Sequence, residues 1–244
     1  MGKGYYKELF YLEDRNWWFL ARREIISSLL DRYLKNKKSL QILDIGTGTG
    51  RMLEVLEYYG KTTGIDYSDE TIKFCRKRGF TNVIKGDAHH LPFNDNFFDL
   101  ICAFDLIEHL ECDEEAIKEF FRVLRKGGIL FLTVPAFMFF WNENDEFWMH
   151  KRRYAANQIQ MILKKARFKI EKLSYFNFLL FPIVFLIRCG RKILKIKNKE
   201  LKSDFKDYPY FINEILRKIF SFEKILLKYI NLPFGVSILC IAKK

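Results

Sequence analysis

At 244 residues and 49% hydrophobic content, the chain is long enough to bury one large α/β core or two small ones, which excludes wholesale disorder. Its formal charge of +12 is unevenly shared: residues 1–150 carry 20 Lys+Arg against 24 Asp+Glu, a balance of −4, whereas residues 151–244 carry 22 against 6, a balance of +16. The five cysteines form no C-x-x-C pair and no secretory signal is read at the start, so a disulfide framework and a zinc cluster are not indicated and a cytoplasmic setting is expected.

In chain order, "RNWWFLARREII" reads as a helix bearing Trp17, Trp18, Phe19, Arg22 and Arg23. Runs of strand length follow at Gln41–Ile45, Thr62–Ile65, Asn82–Lys85, Phe98–Ala103 and Ile129–Val134. Between them, Arg51–Tyr59, Glu70–Arg78 and Glu114–Arg125 carry apolar residues at helical spacing. Such alternation implies a parallel sheet covered by helices on both faces, with ligands bound beyond the carboxyl ends of the strands at the switch point. Gly46–Gly50 occupies that position after the first strand.

Gly46, Gly48 and Gly50 allow a sharp turn and a close backbone approach, and the helix that follows offers unpaired amides. Asp66, at the end of the next strand, supplies a carboxylate for a ribose diol. Dinucleotide and S-adenosylmethionine binding both fit that much. Asp44 inside "LDIGTG" adds a carboxylate for the cationic amino end of a ligand, which S-adenosylmethionine has and a nicotinamide dinucleotide lacks. "KGDAHHLPF" puts Asp87 and Ala88 within reach of an adenine rim, and "FDLICAFDLIEHL", "RVLRKGG" and "ILFLTVP" follow in order.

From Gln41 to Pro135 the sequence resembles the class I S-adenosylmethionine-dependent methyltransferases, particularly the type 11 group. The resemblance implies that Asp44, Gly46, Thr47, Gly48 and Gly50 surround the methionine part, Asp66 and Tyr67 the ribose, and Asp87 and Ala88 the adenine. Phe104 then lines the cofactor floor. It also implies a lid from the front helix, where an arginine, Arg23, pairs with the methionine carboxylate. Taken singly each residue has a bland structural role; the ordered set points to the cofactor.

After the fifth strand, "FFWNENDEFWMHKRRYAANQI" falls on the ligand side of the sheet. Its "HKRRY" run resembles a stretch of type 11 enzymes linked with polysaccharide or lipid modification. It offers Arg152, Arg153 and Tyr154 for an acidic acceptor and His150 as a base for an acceptor hydroxyl; alternatively, Asp145 and Glu146 pair with the arginines to order the segment. Asp105, Glu108 and His109 share one helical face, and some quinone O-methyltransferases similar in this region hold a divalent ion there. Here the first acid is the shorter Asp, and "EH" is widespread in members without metal, so no metal is expected.

Phe168–Phe176 and Val236–Lys244 read as two final strands, the last antiparallel. The expected whole is a Rossmann-like, doubly wound, mostly parallel seven-stranded sheet. Its parts are an N-terminal helical lid (1–40), a methyltransferase core (41–176), a basic and apolar helical insertion (177–232) and the final strand (233–244). The apolar Phe176–Ile187 stretch is below the roughly 20 residues of a membrane span, so an interfacial helix or a protein cap is expected. Arg188, Arg191, Lys192, Lys195, Lys197 and Lys199 would face anionic lipid at the inner membrane surface. The expected partner is a small-molecule, sugar or lipid-linked acceptor. Nucleic acid is disfavoured because "AFDL" stands where a (Asn/Asp)-Pro-Pro-(Tyr/Phe) motif is absent, and a nicotinamide reductase because no Tyr-x-x-x-Lys follows the fourth or fifth strand. A non-catalytic, membrane-associated nucleotide-binding scaffold is the rival outside the enzymes.

Overall fold

The computed structural model describes residues 5–35, 39–193 and 208–244. Seven strands form one sheet: β1 (Leu40–Ile45), β2 (Gly60–Asp66), β3 (Val83–Lys85), β4 (Phe98–Phe104), β5 (Leu124–Pro135), β6 (Lys169–Phe176) and β7 (Ser237–Lys243). Their order is β3-β2-β1-β4-β5-β7-β6. The pairs among β1 to β5 are parallel, and β7 runs antiparallel to both of its neighbours. This is the doubly wound, mostly parallel sheet expected, with β5 beginning at Leu124 rather than Ile129.

All seven residues of β4 are buried, as a central strand covered on both faces requires. One face packs Phe98, Ile101, Phe120 and Leu163 together. The other packs Ile25, Leu29, Ile42, Phe131 and Phe220. Helices α1 (Tyr5–Arg15) and α2 (Trp17–Tyr33) precede the sheet, and the Asn16 side chain caps α2 by accepting from Trp18 N at 3.0 Å. α3 (Arg51–Glu57), α4 (Asp69–Lys77), α5 (Asp113–Val123) and α7 (Ala156–Lys165) cross between strands. A five-residue helix, α6 (Glu143–Phe147), lies in the segment after β5, closed by a capping box of Asn142 and Asp145.

The stretch 177–232 holds α8 (Phe181–Ile193), α9 (Tyr210–Ser221) and α10 (Glu223–Tyr229). Phe220 of α9 and Leu227 of α10 are fully buried in the cluster that includes α2, and Phe220 stacks on Phe176 at 6.0 Å. Phe176 therefore ends a core strand, and the expected interfacial helix starts at Phe181. Lys195, Lys197 and Lys199 lie outside the described residues. No helix among the described residues is long and apolar enough to cross a membrane.

Candidate functional site

The strand order reverses between β1 and β4, where Asp44 sits opposite Gly64 on one side and Cys102 on the other. Past Ile45 the chain turns through Gly46 and Gly48, at φ +72° and +58°, a region that favours glycine. At Gly46 a Cβ would stand 2.8 Å from Leu106 Cδ1, whereas one at Gly48 would meet nothing within 4 Å, so that backbone faces open space. The Gly48 and Ser68 amides each donate to the Asp66 carboxylate at 2.9 Å, and the Thr47 hydroxyl donates to the Asp44 carbonyl at 3.0 Å. β2 and the turn are thus fixed to each other by the acid that ends β2.

Acids dominate this end. Burial pushes the Asp44 carboxyl up to about 8, reinforced by Asp66 and Glu13 and opposed by Arg22. Glu13, reaching in from α1, is pushed up to about 7, mainly by burial and against the Thr49 hydroxyl that donates to it. Burial also raises Asp66, against the amides of Ser68 and Gly48. Asp87 shifts the other way, held below the usual carboxylate range chiefly by the His89 amide.

From this turn a cavity of about 980 Å³ runs past Asp87, Ala88 and Phe104 to the segment after β5 and to α8. Phe104, edge-on to Phe131 at 5.4 Å, forms part of its floor. Thr47 and Tyr67 also line it. Gly50 does not; it lies behind the turn against Cys75, where a Cβ would come within 3.0 Å of the sulfur.

The adjacent arginines of α2, Arg22 and Arg23, divide. Successive helical residues point about 100° apart, so one side chain of an adjacent pair faces inward. It is Arg22: its guanidinium donates to Thr133 Oγ1 at 2.9 Å, pairs with Asp105 at 2.7 Å and lies 5.0 Å from the Trp18 ring. Arg23, the residue expected there, instead donates to the Glu13 carbonyl at 2.9 Å and is not on the cavity wall.

The "HKRRY" run divides as well. Arg152 pairs with Asp113 at 3.2 Å, and the Tyr154 hydroxyl donates to Asp113 at 2.6 Å, so both brace the start of α5 away from the cavity. Arg153 reaches the wall but is buried, with Nε donating to Asp145 at 2.7 Å. Its charge is matched there. His150 faces the cavity, and its Nδ1 lies 2.8 Å from the same Asp145 oxygen. Burial acts to raise Asp145, but His150 and Arg153 outweigh it and hold the carboxyl low.

Beside His150 lie His109, at 4.8 Å between ring centroids, and Glu108. Glu108 and His109 belong to a 3₁₀ turn rather than an α-helix, so Asp105 does not share their face by helical spacing. Burial pushes His109 down to about 4, with His150 adding to it. Burial, then Asp105, pushes Glu108 well above the usual carboxylate range. Glu13 and Asn144 also line the cavity and were not anticipated; the acid of α1 carries no motif, and Asn144 carries a signal only as part of the α6 cap.

A doubly wound sheet with one reversed strand, a glycine turn after β1 and an acid ending β2 define the class I methyltransferase architecture. Residues 43–132 match Methyltransf_11, described as a methyltransferase domain. A probable S-adenosylmethionine-dependent methyltransferase of Mycolicibacterium smegmatis is 27% identical over 164 residues, covering 66% of this chain and 62% of that protein. The demethylmenaquinone methyltransferase of Chlorobaculum tepidum is 30% identical over 124 residues, covering 49% of each. The chain thus spans less than two thirds of the length of these curated relatives. A solved S-adenosylmethionine-dependent methyltransferase from Archaeoglobus fulgidus shares the fold at a TM-score of 0.58 and 22% identity, covering 91% of this chain and 94% of that one.

Proposed function

We propose that the protein transfers a methyl group from S-adenosylmethionine to a small-molecule, sugar or lipid-linked acceptor. The observation that carries this reading is the single cavity joining the acid-lined glycine turn to the His150 segment, which gives donor and acceptor one shared space. The donor end fits the cofactor chemically: buried carboxylates that resist ionising suit a cationic ligand, and Gly48 turns bare backbone toward open space.

Asp44, Gly46, Thr47 and Gly48 hold the methionine part, with Gly50 shaping the turn from behind. Arg22 takes the place expected of Arg23 for the methionine carboxylate. Asp66 and Tyr67 hold the ribose, Asp87 and Ala88 the adenine, and Phe104 the floor. Bound S-adenosylmethionine supplies an already activated sulfonium methyl, open to in-line attack by a nucleophile. The protein therefore mainly aligns and dries the site. Trp18 and Phe19 wall it from water, and His150, oriented by Asp145, assists loss of the acceptor's proton.

At the other end Arg188 and Arg191 stand with Val184 and Ile187, a cationic and apolar mouth suited to an amphiphilic, anionic acceptor. Leu186, Tyr210 and Phe211 are more than two-thirds exposed on α8 and α9, which supports a peripheral contact with anionic lipid at the inner membrane face. Calorimetry tests the donor assignment. S-adenosylmethionine and its demethylated product should bind and NAD should not; NAD binding without the sulfonium ligand overturns the reading.

A further inference from the structure

We propose that Glu108, His109 and His150 form a binding site for one divalent transition-metal ion of the zinc type, at the acceptor end of the cavity. One ligand atom from each residue lies within 4.8 Å of the others. Tetrahedral coordination at about 2.0–2.2 Å needs ligand atoms roughly 3.3–3.5 Å apart, so rotamer adjustments of about 1 Å close the set.

Glu108 is fully buried, and neither of its carboxylate oxygens has a hydrogen-bond partner. Nδ1 of His109 is likewise buried without a partner. Such groups are costly unless something compensates them, and a cation between them compensates all three at once. Each imidazole is also held through its other edge. His150 Nδ1 is fixed by Asp145, which is itself held by Arg153 and the Asn142 amide, leaving Nε2 to donate. His109 is held by the Met149 backbone. Outer carboxylate and carbonyl partners of this kind orient metal-binding histidines.

The donor set selects the ion. Two imidazoles and one carboxylate suit zinc, cobalt or iron, whereas magnesium and calcium favour oxygen donors. Asp105 is not a ligand here, because one of its oxygens accepts from Thr133 and the other pairs with Arg22. Arg153 faces the site, yet its charge is matched by Asp145. Lys151 points its amine to Glu111.

All three ligands line the cavity, so a remaining coordination position faces the acceptor. In this use the inference rests on the function proposed above. An acceptor hydroxyl bound there loses its proton to water more readily, and the ion holds the resulting oxyanion. That oxygen's lone pair forms the bond to the methyl carbon while the carbon–sulfur bond breaks, its electron pair passing to sulfur. His150 then serves as a ligand, its Nε2 lone pair committed to the ion rather than to a proton.

Titrating the metal-stripped protein with Co²⁺ tests the site. One Co²⁺ per chain should bind, with the strong visible absorption of a low-coordinate nitrogen and oxygen site, and Zn²⁺ should displace it. Glu108→Gln keeps the shape of a neutral buried acid and His150→Gln keeps a polar edge. Each should weaken Zn²⁺ binding by about 100-fold or more while leaving affinity for the demethylated cofactor unchanged. Absence of the Co²⁺ spectrum, or retention of Zn²⁺ affinity in both variants, overturns the site. Cobalt binding without any cofactor binding would instead keep the site and sink the methyltransferase reading.

Discussion

Replacing Asp44 with Asn should make the cofactor-free protein more stable and the cofactor bind less well. Burial raises the Asp44 carboxyl from 3.8 to about 8, so between those values the folded chain holds a proton that the unfolded chain releases. Stability contributed by such a group is lost as pH rises through that window, at about 1.36 kcal/mol per pH unit for one proton. At pH 7 the distance from 3.8 amounts to a cost of about 4 kcal/mol. Asn carries no such proton to hold, so Asp44→Asn should gain about 2–4 kcal/mol at pH 7 and almost nothing near pH 4. Urea unfolding of both proteins across about pH 5 to 8 measures the difference. A gain that does not grow with pH, or a loss at neutral pH, refutes the reasoning. A cationic ligand favours the ionised carboxylate, so wild-type affinity should rise with pH up to about 8 and the variant's should respond less.

Asp66→Ala removes the acceptor of the Gly48 and Ser68 amides as well as the proposed ribose partner, and calorimetry should record cofactor binding weaker by about 1.5–3 kcal/mol. Arg22→Gln should cost about 3 kcal/mol in stability by stranding Asp105, and lower cofactor affinity, whereas Arg23→Gln should stay within about 0.5 kcal/mol and leave affinity intact; equal effects would remove Arg22 from the donor site. Co-sedimentation should show binding to anionic vesicles at low salt, weak binding to neutral ones, and loss of most binding when Arg191, Lys192, Lys195 and Lys197 become Gln, since each basic residue contributes about 1 kcal/mol near such a surface. Equal binding to both vesicle types, or none, would leave 177–232 as a plain protein cap.

Local pattern made the sheet readable. Leu100–Phe104 of β4 and Ile129–Leu132 of β5 are apolar runs because both faces are covered there, and the glycine turn after β1 announces itself by residue type. The residues proposed for the donor lie along one cavity because they sit at strand ends and in the turns that follow. The acceptor side was readable only in part: the Asp145–Arg153 pair, eight residues apart, was the alternative the sequence offered, whereas Tyr154 and Arg152 meet Asp113, about 40 residues upstream. Tyr154 bridges to Ala136 as a strand residue does, and around it neighbouring side chains point to opposite sides. Residues 152 and 154 turn to α5 while 151 and 153 turn to the cavity. A motif read as one basic cluster is thus two faces. For Arg22 and Arg23 the helix phase was the deciding quantity, and an aromatic-rich helix with two adjacent arginines leaves it open.

The charge division of the sequence takes a spatial form in the cavity. Glu13, Asp44 and Asp66 stand at the proposed donor end, all raised by burial, while Arg188 and Arg191 stand at the other. Methyl transfer turns a sulfonium into a neutral thioether, so the donor loses one positive charge as it becomes product. A low-dielectric pocket lined with carboxylates holds the charged form more strongly than the neutral one. The acids therefore favour exchange of spent product for fresh donor. If the acceptor is anionic as proposed, the Arg188 and Arg191 end favours it by the same field, so that the two ends of one cavity would suit ligands of opposite charge.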